Sequence, residues 1–121
     1  FATAASAVPH IKAGKIKALA VTTGKRSQLV PELPTVAEAG LKGYEANNWY
    51  GVVVPAKTPR PVVERLNKEF TAVLSLPEVK DILFKQGLDA APSTPEQFGA
   101  YIESETVKWA KVVKASGAKA E

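Results

Sequence analysis

The chain has no cysteine and no methionine, one histidine, His10, and two aspartates, Asp81 and Asp89. Without cysteine there is no disulfide, no thiolate metal site and no thiol nucleophile. A single histidine excludes a metal centre built on several imidazoles, and a Ser-His-Asp triad would have to use His10. Standing on a short helix before Lys12-Ala13-Gly14, His10 reads instead as a surface or helix-terminal residue. Neither aspartate has a second acid at a metal-ligand spacing. Glycine-rich phosphate loops, nucleophile elbows and zinc motifs are absent, and Gly14-Lys15 and Gly24-Lys25 lack the flanking glycines of a P-loop. No run approaches the roughly 20 apolar residues of a membrane span, and no basic region followed by an apolar stretch opens the sequence. An intact translation product begins with methionine, so its absence implies that these residues come from a longer chain.

What is present is a globular composition. The 121 residues are 45% hydrophobic, and Lys plus Arg number 16 against 12 acids, a net charge of +4. That is too apolar for disorder. The basic residues are spread along the length rather than gathered on one segment, so they describe a solvated surface and not a nucleic-acid footprint.

Punctuation divides the chain. Residues 6 to 14 read as a short helix with Ser6 as N-cap, Pro9 in the first turn and Gly14 just past the end. Lys15 to Thr23 reads as a strand whose centre, Ala18-Leu19-Ala20-Val21, suits a sheet covered on both faces. A loop from 24 to 34 leads to a capping box, Thr35 with Glu38, and Gly40 ends the short turn it starts. A second strand is expected from Asn48 to Val54, and a short third around Leu88 to Ala91. Then the period changes to helical. Thr58 and Pro59 open a helix with Val62, Val63, Leu66, Phe70, Val73 and Leu74 on one stripe. Pro77 opens a shorter one that stops at Gly87, and the capping box Thr94 with Gln97 opens a helix of about 20 residues to Ala115. Phe70, Phe98 and Trp109 lie on these stripes and are expected in the core. Two or three strands with five helical segments form a sheet that would normally recruit further strands, so the piece reads as the C-terminal part of a larger α/β protein.

Residues 14–22 (GKIKALAVT), 33–40 (LPTVAEAG), Tyr44-Glu45, 49–55 (WYGVVVP), Thr58-Pro59 and Leu66-Asn67 resemble the substrate-binding receptors of tripartite tricarboxylate transporters, the Bug or TctC family. Pro77-Glu78-Val79, Gly87, 93–98 (STPEQF) and 105–109 (ETVKW) continue the resemblance in order and spacing. It implies an α/β fragment of a two-lobed periplasmic-binding-protein fold, type II-like, with a helix-rich C-terminal half. Residues 1–44 would end lobe 2, residues 45–51 would cross between lobes, and residues 52–121 would return to lobe 1. It also implies a secreted, periplasmic solute receptor, without enzyme activity, cofactor or metal, that binds a small carboxylate and serves a membrane permease.

The residues themselves support such a role at one place. A carboxylate is held well by amide N–H groups and hydroxyls at a helix start, where unpaired donors and the dipole favour an anion. Thr3, Ala4, Ala5 and Ser6 are the candidates there. Trp49, on the crossover, is the candidate cleft wall, with Asn48 and Tyr50 as secondary ones. Two rival readings stay open at this point: a helical interaction module built on the C-terminal stripe, and a small hydrolase or transferase using His10. Strand edges left without neighbours also imply self-association of the piece.

Overall fold

Proline, glycine and apolar spacing together place four helices in the computed structural model, which describes residues 2–119: α1 (Ala4–Lys12), α2 (Arg60–Ser75), α3 (Pro77–Lys85) and α4 (Pro95–Ser116). These lie in two compact units. The first comprises the described residues of Phe1–Val53 and Leu76–Ala90, the second those of Val54–Ser75 and Ala91–Glu121.

In the first unit, the chain after α1 is organised by backbone bonds rather than by a sheet. Val21 and Thr35 form one isolated parallel bridge. Val21 N–H donates to Pro34 O and Val36 N–H to Val21 O, each at 2.9 Å. Thr35 N–H donates to Glu38 Oε2 at 2.9 Å and Glu38 N–H to Thr35 Oγ1 at 3.1 Å, the reciprocal capping box expected from the sequence. Arg26 Nε adds an ion pair to the same Glu38 oxygen at 2.9 Å. The Thr35 amide and then Arg26 hold the Glu38 carboxyl below its ordinary value near 4.5. Around this knot Thr35 and Val30 are 2% and 6% exposed, and Val30 is the one buried hydrophobic residue among those described.

The strands expected at Lys15–Thr23, Asn48–Val54 and around 88–91 do not form ladders among the described residues. The physical reason is that a strand is a relation between two chains of backbone groups: apolar character makes a segment extended, but only a neighbour completes its hydrogen bonds. Leu19, Val52 and Val53 are accordingly exposed instead of covered.

In the second unit α2 packs on α4. Asn67 Nδ2 donates to Ser93 O at 2.8 Å, fixing the approach to α4. Arg60 pairs with Glu64 at 2.8 Å and also with Glu96, and these neighbours raise its pKa. The groups are solvent-facing, so the pairs orient more than they stabilise. Helix α2 begins at Arg60, one residue later than its sequence signal, because the Pro59 carbonyl accepts from Val62 and Val63. Helices α3 and α4 end as read: Gly87 and Gly117 take φ of 79° and 69°, values a side chain would resist.

The apolar stripes find less cover than the sequence implied. Phe70 is 44% exposed and Trp109 38%, with Val62 and Val73 similar; only Phe98 of the three aromatics expected in the core is half-buried. Amphipathic helices acquire a core only from the element they face, and among the described residues these stripes are little covered.

The α4 start supplies a stability test. Thr94 Oγ1 accepts from Gln97 N–H at 3.2 Å, and Gln97 Oε1 accepts from Thr94 N–H at 2.9 Å. Thr94→Ala removes the first bond and is expected to lower stability by about 1 kcal/mol. Chemical denaturation of a receptor carrying the change checks it; an unaltered midpoint would show the box to be dispensable.

Candidate functional site

The start of α1 differs from those of α3 and α4. Thr3, its N-cap, is extended at φ −70° and ψ 151°, yet its side chain caps no amide, and no acid occupies the first turn. By contrast α3 and α4 carry Glu78 and Glu96 there. The Thr3 and Ser6 hydroxyls instead meet each other at 3.1 Å, and Ser6 Oγ donates to Thr3 O at 3.0 Å. Both side chains are exposed, and Ala4 is half-buried. The arrangement leaves the positive end of α1 without an anionic or side-chain acceptor of its own, lined by two hydroxyls.

Ser6 is thus not the N-cap. The helix starts three residues earlier, with Thr3 O accepting from Ser6 and Ala7 N–H at 3.1 and 3.0 Å. Pro9 consequently stands inside α1 instead of in its first turn. The run Ala4-Ala5-Ser6-Ala7 carries high helix propensity, which outweighs the loss of one bond at proline. The side chain of Ala5 lies outside the described residues.

The second predicted group lies on the extended segment after Tyr44. Trp49 is 38% exposed and Tyr50 73%. Asn48 Nδ2 donates to Tyr50 Oη at 3.3 Å. Residues two apart on an extended chain share a face, so this pair is local. The structure therefore brings Thr3 to Ser6 and Asn48 to Tyr50, each pair within its own segment.

Two hollows open in the first unit. One, of about 50 Å³, is lined by Ala4, Val8, Pro9, Leu29, Lys85 and Gly87, and lies between α1 and α3. The other, of about 430 Å³ and wide open, is lined by residues that include Lys80, Asp81, Phe84 and Asp89. Ala4 alone of the predicted residues lines either. No group of three or more metal-ligating side chains occurs among the described residues, and no described helix is long and apolar enough to cross a membrane.

Sequence reasoning missed one cluster. Ala46 N–H donates to Thr22 O at 2.9 Å, which seats residues 45–47 beside the end of the 15–23 segment. Asn47 Nδ2 then donates to Glu45 Oε1 at 2.6 Å. The Glu45 carboxylate rests over Gly24, where a Cβ would stand 2.9 Å from Oε2. An acid and an amide two residues apart on an extended stretch were the available signal, since that spacing puts both on one face.

The model of the tripartite tricarboxylate transporter family receptor, TctC, matches residues 1–118, and the chain belongs to that family. A curated relative, the UPF0065 protein in the tcbD-tcbE intergenic region of a Pseudomonas species, is 42% identical over 105 residues, covering 86% of this chain and 31% of that protein. The chain spans about a third of the length of the first curated relatives it matches. Among solved structures, Rpa4515 of R. palustris with adipate superposes with a TM-score of 0.81 at 36% identity, over 93% of this chain and 38% of that one. The periplasmic binding protein BugD gives 0.81 at 34%, over 95% and 39%. MatC of Rhodopseudomonas palustris with bound malate gives 0.72 at 33%, over 90% and 38%. The fold is thus the α/β fold of the periplasmic binding proteins, and these residues form a helix-rich part of it.

Proposed function

We propose that these residues belong to a periplasmic solute receptor that binds a small carboxylate and delivers it to the membrane permease of a tripartite tricarboxylate transporter. It is a binding protein, not an enzyme. The observation that carries this reading is the start of α1: a helix N-terminus with neither side-chain cap nor first-turn acid, flanked by the Thr3 and Ser6 hydroxyls. An anion there completes donors that the chain itself leaves without a side-chain acceptor. Family relatives solved with adipate and with malate carry ligands of this chemistry.

In this reading Thr3, Ala4, Ala5 and Ser6 contribute hydroxyl and amide donors to one carboxylate. Trp49 walls the site, with Asn48 and Tyr50 at its margin. Calorimetry of the whole receptor with adipate and malate tests the function directly, and failure to bind either, or any other small carboxylate, would overturn it. The wall has its own readout. Trp49→Phe keeps an aromatic face and removes the indole N–H, so affinity is expected to fall about fivefold, roughly 1 kcal/mol. The ligand-induced fluorescence change should disappear with it, whereas Trp109→Phe should keep the change. A normal response from the Trp49→Phe receptor would remove Trp49 from the site.

A further inference from the structure

We infer that Glu45 and Asn47 are positioning residues for Trp49: they fix the backbone that carries the indole and do not touch the ligand themselves. This rests on the receptor reading above, in which Trp49 walls the site, and adds to it the residues that set the wall.

Residues 45–50 read Glu-Ala-Asn-Asn-Trp-Tyr. None is branched at Cβ and the segment joins no ladder among the described residues, so neither stiff side chains nor a sheet neighbour holds it extended. Ordering such a segment at the moment of binding costs affinity, and ordering it beforehand removes that cost. Side-chain bonds supply the order. On one face Asn47 Nδ2 donates to Glu45 Oε1 at 2.6 Å, and on the other Asn48 Nδ2 donates to Tyr50 Oη at 3.3 Å. Side chains alternate along an extended chain, so the row that begins with Glu45 and Asn47 continues at Trp49. Between the first two, Ala46 N–H donates to Thr22 O at 2.9 Å and ties the row to the end of the 15–23 segment.

Asn47 is the link from that anchor to the indole. Its Oδ1 is buried without a donor among the described residues, so the bond from Nδ2 to Glu45 is the polar hold on this side chain. An amide that lost this bond as well would have both ends unpaired and would turn towards water, drawing along the backbone two residues before Trp49. Glu45 is seated in turn by Gly24, where a Cβ would stand 2.9 Å from Oε2. Neither side chain suits direct contact with the ligand. The Asn47 oxygen is sealed, and the Glu45 carboxylate repels another carboxylate.

The test uses the whole receptor, calorimetry with adipate and malate, and thermal unfolding of every variant. Glu45→Gln and Glu45→Ala both remove the charge, but only the second removes the acceptor for Asn47. Glu45→Ala is therefore expected to bind about tenfold more weakly than Glu45→Gln, the size of one hydrogen bond. Gly24→Ala, which displaces the carboxylate, should reproduce part of that loss and add nothing to Glu45→Ala. The decisive comparison is made in a receptor that already carries Trp49→Ala. A pair that acts through the indole has nothing left to position there, so the difference between Glu45→Ala and Glu45→Gln should shrink below about twofold. Without any ligand, acrylamide quenching of Trp49, read as the difference from the Trp49→Phe receptor, should rise in Glu45→Ala and not in Glu45→Gln.

Equal binding by Glu45→Ala and Glu45→Gln, or unaltered quenching, overturns the inference. The same tenfold difference in both backgrounds overturns it too, because the pair would then act on the ligand or on the fold at large. Normal binding by Trp49→Ala removes Trp49 from the site, and the inference with it, while the carboxylate function stands. If the unaltered receptor binds no small carboxylate, the receptor reading falls and takes this inference with it.

Discussion

Heated alone in buffer, the 121-residue chain is expected to lose its helices gradually, without a cooperative transition, and to bind a hydrophobic dye before heating. The surface requires it. The chain exposes 9673 Å² at 12.9 kDa, whereas a folded monomer of that mass exposes about 6300 Å². If about half of the difference is apolar, the burial forgone is on the order of tens of kcal/mol, more than the ~5–15 kcal/mol that holds an ordinary domain together. Residue by residue the same deficit appears as Val62, Phe70 and Val73 on α2 and Val107, Val112 and Val113 on α4, all more than a third exposed. Helical far-ultraviolet dichroism should survive with weak near-ultraviolet signals, the mark of secondary structure without fixed packing. The extended Val52–Val54 segment, which joins no ladder among the described residues, should also drive association at micromolar concentration. A sharp melting transition from a monodisperse, dye-free monomer in sedimentation would refute this, and would mean that the stripes find partners within these residues.

That deficit also explains which parts of the structure the sequence disclosed. Signals that act within one turn of chain were legible. The Thr35–Glu38 and Thr94–Gln97 boxes, the opening of α3 at Pro77 and the stops at Gly87 and Gly117 are each set by groups a few residues apart. Signals that require a distant partner were not. The apolar run through Ala18–Val21 specified extension, but its ladder depends on strands elsewhere, and one bridge at Val21 is what remains. Trp109 shows the same limit. Its stripe implied burial, yet it is 38% exposed, its Nε1–H bonded to Glu105 Oε2 at 2.8 Å and its ring under the Lys108 ammonium at 5.4 Å. Glu105, one turn before it on α4, is a buried carboxylate. The candidate site divides likewise. Thr3 and Ser6 were legible because a helix start announces itself locally. Their exchange of roles was not, since helix propensity through Ala4–Ala7 competes with Ser6 as a cap. Glu45 and Asn47 escaped notice because their cluster depends on Gly24, twenty-one residues away in sequence.

Ser6→Asp should separate binding from stability most sharply, weakening carboxylate binding by the whole receptor at least a hundredfold while the helix that carries it becomes no less stable. Ser6 is the third residue of α1, exposed, and in a first turn without an acid. An aspartate there meets the positive end of the helix and contributes about 0.3–1 kcal/mol of favourable dipole interaction. The same charge occupies the place proposed for the ligand. Two like charges about 4 Å apart near a protein surface repel by roughly 4 kcal/mol at an effective dielectric of 20. Salt and side-chain motion reduce that, and a hundredfold loss corresponds to about 2.7 kcal/mol. Ser6→Asn supplies the neutral control, being close to aspartate in shape; it should bind within about tenfold of the unaltered receptor. Calorimetry with adipate and malate, paired with thermal unfolding of each variant, reads both quantities. Unimpaired binding by Ser6→Asp would place the carboxylate elsewhere than the start of α1, and an equal loss in Ser6→Asn would trace the effect to the missing hydroxyl and not to charge.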